Sequence, residues 1–313
     1  MAPSSDLDLD LFGRAPEKGD PEQVGGDIEQ FHFPHFVIDG NNISAYFIDH
    51  SGGVENEVGL ATSKDGVNFE YRGKVLRRDR WYDRLQATFA SVYWAGGKYH
   101  MLYEAKADIG DINSVCHADS DDGVNWTKSG PVIRPSCPEA DDRMEGVPTP
   151  GSSLAPLDVG TPTLQYDGEK WHVYYHATDR KNRVRIGYAS GPTLGKLSVQ
   201  NVPALDLGEG EETGTVGWRS NIVQMGDWHY MAYEWASDPT KNTPNTYEKS
   251  RWGTSLARAA SPSGPWQKSP HNPLLRNGNI GFGMDGPELA VIRNRLYLYY
   301  RWERNTTWRV RLS

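Results

Sequence analysis

The stretch "FASVYWAGGKYHMLYE", Phe89 to Glu104, reads as two strands folded about a tight turn. Apolar and aromatic residues recur at period two on either side of Gly96-Gly97, and paired glycines supply the positive φ that a two-residue hairpin requires. The same plan recurs four times. "FPHFVIDGNNISAYFI" (Phe33–Ile48), "TPTLQYDGEKWHVYYH" (Thr161–His176), "RSNIVQMGDWHYMAYE" (Arg219–Glu234) and "GPELAVIRNRLYLYYR" (Gly286–Arg301) align with it without gaps. Their first core apolar residues are Phe36, Val92, Leu164, Ile222 and Leu289.

The segments after the hairpins repeat as well. "VGLATSKDGVNFEYRG", "SVCHADSDDGVNWTKSG", "RIGYASGPTLGKLSVQ" and "TSLARAASPSGPWQKS" each read as a third strand, a turn and a fourth strand. Two of the turns share Ser-x-Asp-Gly-x-x-aromatic, where Asp and Gly fit the backbone of a tight corner. Four-stranded antiparallel units of this size, repeated radially, predict an all-β, five-bladed β-propeller. The last unit ends at "TWRVRLS" without an outer strand. Either the N-terminal arm donates that strand and closes the ring, or the last blade is short. Residues 1–26 are read as that arm or a tail, and residues 27–313 as one propeller domain.

Composition narrows the partners. Lys and Arg total 33 against 41 Asp and Glu, and no basic run stands out, so nucleic acid is not expected. No apolar stretch approaches the length of a membrane span. The 11 Trp and 16 Tyr against 8 Phe suit half-buried strands and equally suit recognition of sugars or flat ligands. Cys116 and Cys137 make no disulfide framework or metal motif, and whether they pair is left open. The acidic start "MAPSSDLDLDLFGRAPEKGD" lacks the basic and apolar regions of a signal peptide. The expectation is a cytosolic monomer, secreted only if a leader has been removed.

The repeats and the Ser-x-Asp-Gly corners resemble the five-bladed propeller superfamily of furanosidases. These are the arabinanases and xylosidases of glycoside hydrolase family 43, together with the invertase-like enzymes. The resemblance covers about residues 31–313 and specifies fold better than activity. It implies three carboxylates near the starts of innermost strands: a general base in blade one, an orienting Asp in blade two and a general acid in blade three. This chain departs from all three. The matching positions hold Phe33, Ser91 and Gly160. The nearest local likeness to the acid's motif, Asp285-Gly286-Pro287, lies in blade five.

Hairpin geometry suggests what lines the mouth instead. Folding about Gly96-Gly97 sets Glu104 opposite Phe89, and the same folding sets His176 by Thr161, Glu234 by Arg219 and Arg301 by Gly286. Glu104, Asp285 and Glu288 are the candidate catalytic acids, Glu104 as proton donor and one of the other two as base or ligand anchor. His35, His176, Arg219, Glu234 and Arg301 are the candidate substrate-binding residues. Each has a structural alternative: Arg219 and Glu234 as a cross-strand pair, Asp285 as a turn cap, the histidines as hydrogen-bonded scaffold. The Pro/Gly/Ser-rich loop "RMEGVPTPGSSLAPLDVG", with Arg143 and Glu145, is read as a lid or a connector. His, Asp and Glu are too scattered for a metal motif, and no cofactor is expected.

Three functions are compatible with these residues. The resemblance favours a glycoside hydrolase-like enzyme that uses non-standard acids on a small glycosidic substrate. The missing acids favour a non-hydrolytic cyclase, isomerase or lyase with a shaped channel, or a sugar-binding propeller without chemistry. With Phe33, Ser91 and Gly160 in place, little turnover of aryl arabinofuranosides or xylosides is expected.

Overall fold

In a computed structural model, residues 7, 9–28, 30–51, 56–107, 112–136, 146–150, 157–210, 212–237, 250–278, 283–302 and 306–313 are described. A short strand β1 (Glu22–Val24) precedes the first repeat. Blade one contains β2 (His32–Asp39), β3 (Asn42–Asp49), β4 (Glu57–Ser63) and β5 (Glu70–Leu76). Blade two contains β6 (Gln86–Ala95), β7 (Lys98–Lys106), β8 (Asn113–Ser120) and β9 (Thr127–Ile133). Blade three contains β10 (Asp158–Tyr166), β11 (Trp171–Thr178), β12 (Val184–Gly191) and the short β13 (Ser198–Val199). Blade four contains β14 (Thr215–Met225), β15 (Trp228–Ala236) and β16 (Trp252–Ala259), with β17 (Gln267–Lys268) and β18 (Leu275–Arg276) sharing its outer edge. Blade five contains β19 (Asp285–Ile292), β20 (Arg295–Trp302) and β21 (Thr306–Leu312).

The fourth strand of blade five is β1, antiparallel to β21 with Gln23 opposite Trp308. The N-terminal segment therefore supplies the strand missing after "TWRVRLS". Leu11 and Phe12, further upstream, are buried against Tyr230, Leu256 and Leu298 between blades four and five. The Arg258 guanidinium lies between the Phe12 and Trp228 rings, 4.3 and 4.2 Å from their centroids, and pins this segment down.

The apolar core is divided among the blade interfaces. One cluster joins Leu60 to Val92, and the next joins Leu102 to Leu164. Tyr174 meets Met231, Leu256 meets Leu298, and Phe36 meets Tyr299 across the remaining three junctions. Every blade thus packs on its successor, and the fifth packs on the first. That cyclic burial makes the fold an all-β five-bladed propeller, and the described residues contain no helix.

The Ser-x-Asp-Gly corners lock neighbouring blades together. Ser63 Oγ accepts the Gly66 amide at 2.9 Å, and Asp65 Oδ1 accepts those of Val67 and Asn68. The hydroxyl of Tyr299, from blade five, then donates to Gly66 O at 2.9 Å. A Cβ at residue 66 would lie 2.6 Å from that hydroxyl, so both the positive φ of 74° and the close approach require glycine. Tyr46 makes the equivalent contact from blade one to Gly123 of blade two.

Candidate functional site

Each innermost strand begins with a bulge around the central channel. The register shifts between His32 and His35, Thr88 and Ser91, Gly160 and Thr163, Val216 and Ser220, and Asp285 and Glu288. At those bulges Phe33, Phe89, Thr161, Gly217 and Gly286 adopt positive φ, of 47°, 50°, 39°, 76° and 60°. A Phe or a β-branched Thr held there costs about 1–3 kcal/mol, a strain that tends to collect at working sites.

The bulges correct the register expected from the sequence. Near the turns the expected pairs hold, as in Val92 with Met101. Beyond the bulge one extra residue is consumed in blades one, two, three and five, and two in blade four. Glu104 therefore pairs with Thr88, His176 with Gly160 and Arg301 with Asp285, rather than with Phe89, Thr161 and Gly286. In blade four Val216 pairs with Trp235 and Ser220 with Tyr233, so the whole Gly217–Arg219 turn bulges out opposite Glu234.

Two rings of polar side chains tie blade to blade around the channel. In the first, His35 Nε2 meets Val92 O at 2.9 Å, and Ser91 Oγ accepts the Leu164 amide at 3.0 Å. Thr163 Oγ1 donates to Ser220 O at 2.6 Å, Asn221 Oδ1 accepts the Leu289 amide at 2.8 Å, and Glu288 Oε1 accepts the Phe36 amide at 3.3 Å. In the second ring, Glu104 Oε2 accepts the Thr161 amide at 2.8 Å and Glu234 Oε2 accepts the Gly286 amide at 3.1 Å. The His176 ring lies against Trp218, and the Arg301 guanidinium lies 5.0 Å from the Phe33 ring centroid. Most of the charged residues that the sequence places at the mouth are therefore clasps between blades.

Between blades four, five and one the charges form a closed knot. Arg301 clamps Asp285 through Nε at 2.7 Å and Nη2 at 2.6 Å, and the Gly283 amide adds a third donor to that carboxylate. Asp285 is fully buried. Glu288, also buried, accepts from Asn221 Nδ2 at 2.9 Å, meets His35 Nδ1 at 3.0 Å and pairs with Arg219 Nη2 at 3.4 Å. Arg219 donates to Pro34 O as well, so its ion pair runs to Glu288 of blade five. Burial, and after it the charge of Asp285, push the Glu234 carboxyl up to about 8 despite both arginines. Glu234 thus favours its neutral form far more than an exposed glutamate does.

Blades two and three present a different group. Glu104 is buried, with Gln86 Nε2 on Oε1 at 2.5 Å and the Thr161 amide on Oε2. Burial raises its carboxyl to about 6, against the lowering effect of His176 at 3.9 Å, while Asp158 adds a smaller upward push. His176 Nε2 meets Asp158 Oδ2 at 3.2 Å, and Nδ1 meets Thr161 Oγ1 at 2.9 Å. Asn113 fixes Asp158 from its backbone amide at 2.6 Å and its side chain at 3.0 Å. A Cβ at Gly160 would lie 2.0 Å from Glu104 Oε2, so that position leaves room for the acid. The half-exposed Trp218 ring packs on His176, and the half-exposed Phe33 and Phe89 rings lie 5.3 Å apart at the bulges of blades one and two. Phe33, at the position where the resemblance implies a base, is an aromatic surface flanked by Arg301 and Arg219.

Sequence reasoning missed Asp158, Asn113 and Trp218. Asp158 and Trp218 fall just before the aligned hairpins, and Asn113 opens a third strand, so none carries a motif; only an acid poised at the start of a strand, in "APLDVG", hints at the first. Arg143, Glu145 and Cys137 lie outside the described residues, and Cys116 is a buried free thiol. Among the described residues no group of His, Cys, Asp and Glu is arranged to hold a metal ion. A cavity of about 420 Å³ lined by Asp27, Phe47, Asp49, Phe69 and Tyr71 lies on blade one, away from the Glu104 group, and its Asp49 already accepts from Tyr71 and Ser51.

No protein-family profile and no curated protein matches the sequence. Solved structures do match in fold. A thermostable family-43 glycoside hydrolase is 15% identical, with a TM-score of 0.65 over 92% of this chain and 90% of that one. An exo-1,5-α-L-arabinanase from a bovine ruminal metagenomic library is 11% identical, with a TM-score of 0.62 over 93% and 95%. A family-32 β-fructofuranosidase of Bombyx mori is 12% identical, with a TM-score of 0.60 over 94% of this chain and 61% of that one. The chain has the propeller fold of these glycoside hydrolases.

Proposed function

We propose that the protein is a glycoside hydrolase-like enzyme that acts on a small glycosidic substrate at the channel mouth, with Glu104 as proton donor. The observation that carries this reading is a buried carboxyl held up to about 6, with amide donors and one histidine around it in place of a clamping arginine. Such an acid keeps its proton to a higher pH than an exposed glutamate and can still release it, as protonation of a leaving oxygen requires. Asp158, whose side chain is 16% exposed, is the second carboxylate of the pair. Glu104 gives its proton to the glycosidic oxygen as the C–O bond breaks, and the incoming water gives a proton to Asp158 as its oxygen bonds the anomeric carbon. Phe33, Phe89 and Trp218 offer the ring faces against which a sugar packs. Asp285 and Glu288 are assigned to charge-holding roles, because their oxygens are already taken by arginine and amide donors away from solvent.

The same aromatic floor, in place of an acid at Phe33, favours a second reading as a sugar-binding propeller without chemistry. One assay separates the two. Wild type and Glu104→Gln are compared on a panel of small glycosides, for turnover and for binding. Hydrolysis should fall about 10²–10⁴-fold in the variant while the fold is kept. Equal rates in both proteins remove Glu104 from the mechanism, and binding without turnover in wild type leaves the binding module.

A further inference from the structure

The hydrogen bonds around His176 set a proton on Nδ1 and a carboxylate against Nε2. Thr161 Oγ1 has a single proton to give, and it contacts two groups: the carbonyl oxygen of Trp218 and Nδ1 of His176. A carbonyl oxygen only accepts, so the hydroxyl proton goes to Trp218 O. The 2.9 Å contact with His176 then requires Nδ1 to carry a hydrogen and donate it. On the other side, Nε2 faces Asp158 Oδ2 at 3.2 Å. That carboxylate already accepts from the Asn113 amide and side chain, and so acts as an acceptor toward the ring as well.

We infer that His176 is a doubly protonated, buried imidazolium at neutral pH, and that it is the positioning residue for the proton on Glu104. The inference rests on the proposed role of Glu104 for its catalytic consequence, and on hydrogen-bond geometry alone for its charge. Every element packed on the ring agrees with a cation there. Strand β10 contributes Asp158, and β7 contributes Glu104 at 3.9 Å, with Lys106 acting at longer range on that acid. Strand β12 presents the apolar Ile186 opposite His176, and β14 presents the Trp218 ring, tilted 33° at 5.5 Å. Burial alone would strip the proton from the imidazole, but the hydrogen bond and charge of Asp158, with the charge of Glu104, outweigh it and hold the histidine above its ordinary range. A fixed positive charge between two carboxylates keeps Glu104 from binding its proton too tightly to give it up. It also orients Thr161, whose amide holds Glu104 in place.

Side-chain ¹⁵N NMR of the full chain at pH 7, with His176→Gln to assign the signals, tests the charge directly. Both ring nitrogens of His176 should carry protons at imidazolium shifts. In Asp158→Asn, whose fold is checked by an unchanged strand signal in circular dichroism, that signature should collapse to a neutral tautomer. A neutral His176 in wild type, or an imidazolium that survives in Asp158→Asn, overturns the inference. On a glycoside that wild type hydrolyses, His176→Gln should move the alkaline limb of the rate profile upward by about one pH unit, the usual effect of losing one adjacent charge. An unmoved limb overturns the positioning role. Absence of any wild-type turnover sinks the glycosidase reading and with it that role, while the NMR result still decides the charge.

Discussion

Glu104 and Glu234 occupy equivalent places in the repeat, and each accepts the amide of the next blade's bulge residue, yet their surroundings differ in kind. Glu234 shares its corner with Arg219, Arg301, Asp285 and Glu288, where the arginines are already committed to the other acids. Glu104 faces one histidine, which in turn contacts an asparagine-held aspartate and the half-exposed Trp218 ring. One structural job thus coexists with two chemistries, set by what the neighbouring blade presents. The repeat supplies the clasp. The departures from the repeat supply the candidate site.

The largest expected effect lies on the blade-five side. Arg301→Met would leave Asp285 as a fully buried anion without its clamp, at a cost of about 3–5 kcal/mol. Urea denaturation should record that loss, whereas Glu104→Gln should stay within about 1 kcal/mol of wild type, as expected for a near-isosteric change of a carboxyl held by amide donors rather than by a clamping arginine. Equal losses in the two variants would erase the contrast between the corners.

Next in size is Gly160→Ala. Its Cβ would meet Glu104 Oε2 at 2.0 Å, an overpacking worth about 1–3 kcal/mol, and the displaced carboxyl should lose its function with it. An alanine tolerated without change in stability or turnover would show that Glu104 is not held where the clasp puts it.

A smaller effect separates the two glutamates by pH. Glu234 rises from an ordinary 4.5 to about 8, and Glu104 to about 6, so each binds its proton more tightly when folded than when unfolded. Between the two values the folded state holds the extra proton, and stability therefore declines as pH rises. The decline should run from about 4.5 through 8 for Glu234, and stop near 6 for Glu104. Glu234→Gln should flatten the pH dependence of Tm up to about pH 8, and Glu104→Gln only its lower part. A Glu234→Gln protein that melts far lower at neutral pH would mean that the arginines need a charged partner there.

Activity on ordinary substrates gives a further contrast. Phe33, Ser91 and Gly160 stand where the resemblance implies acids, and the structure uses the last two for an amide contact and for space. Aryl arabinofuranosides and xylosides should be turned over slowly or not at all in a chromogenic assay. Rapid release of the aryl group would place the chemistry elsewhere in the channel.

The fold was legible because each hairpin carries its own turn signal: Gly96-Gly97 pins the pairing of Ala95 with Lys98, and the repeats exposed the remaining blades. The bulges were not legible. Phe33, Phe89 and Thr161 are residue types that shun positive φ, so nothing local announces the extra residue, and pairing beyond it was off by one. Glu104 could be singled out as an acid at the end of an apolar strand without a cation in its hairpin. Its actual partners, His176 and Asp158, belong to the next blade, and contact across a blade junction leaves no spacing in the chain.

Catalysis by Glu104 requires that it hold a proton into the neutral range while remaining able to release it. A carboxyl ¹³C NMR titration of glutamate-labelled protein, with Glu104→Gln to assign the signal, measures this without any substrate. The expected midpoint for Glu104 is about 6. A midpoint at the ordinary value of 4.5 would contradict the proposed role, because burial would then have done nothing to keep a proton on the acid, and the protonated fraction near neutrality would be roughly thirty-fold smaller.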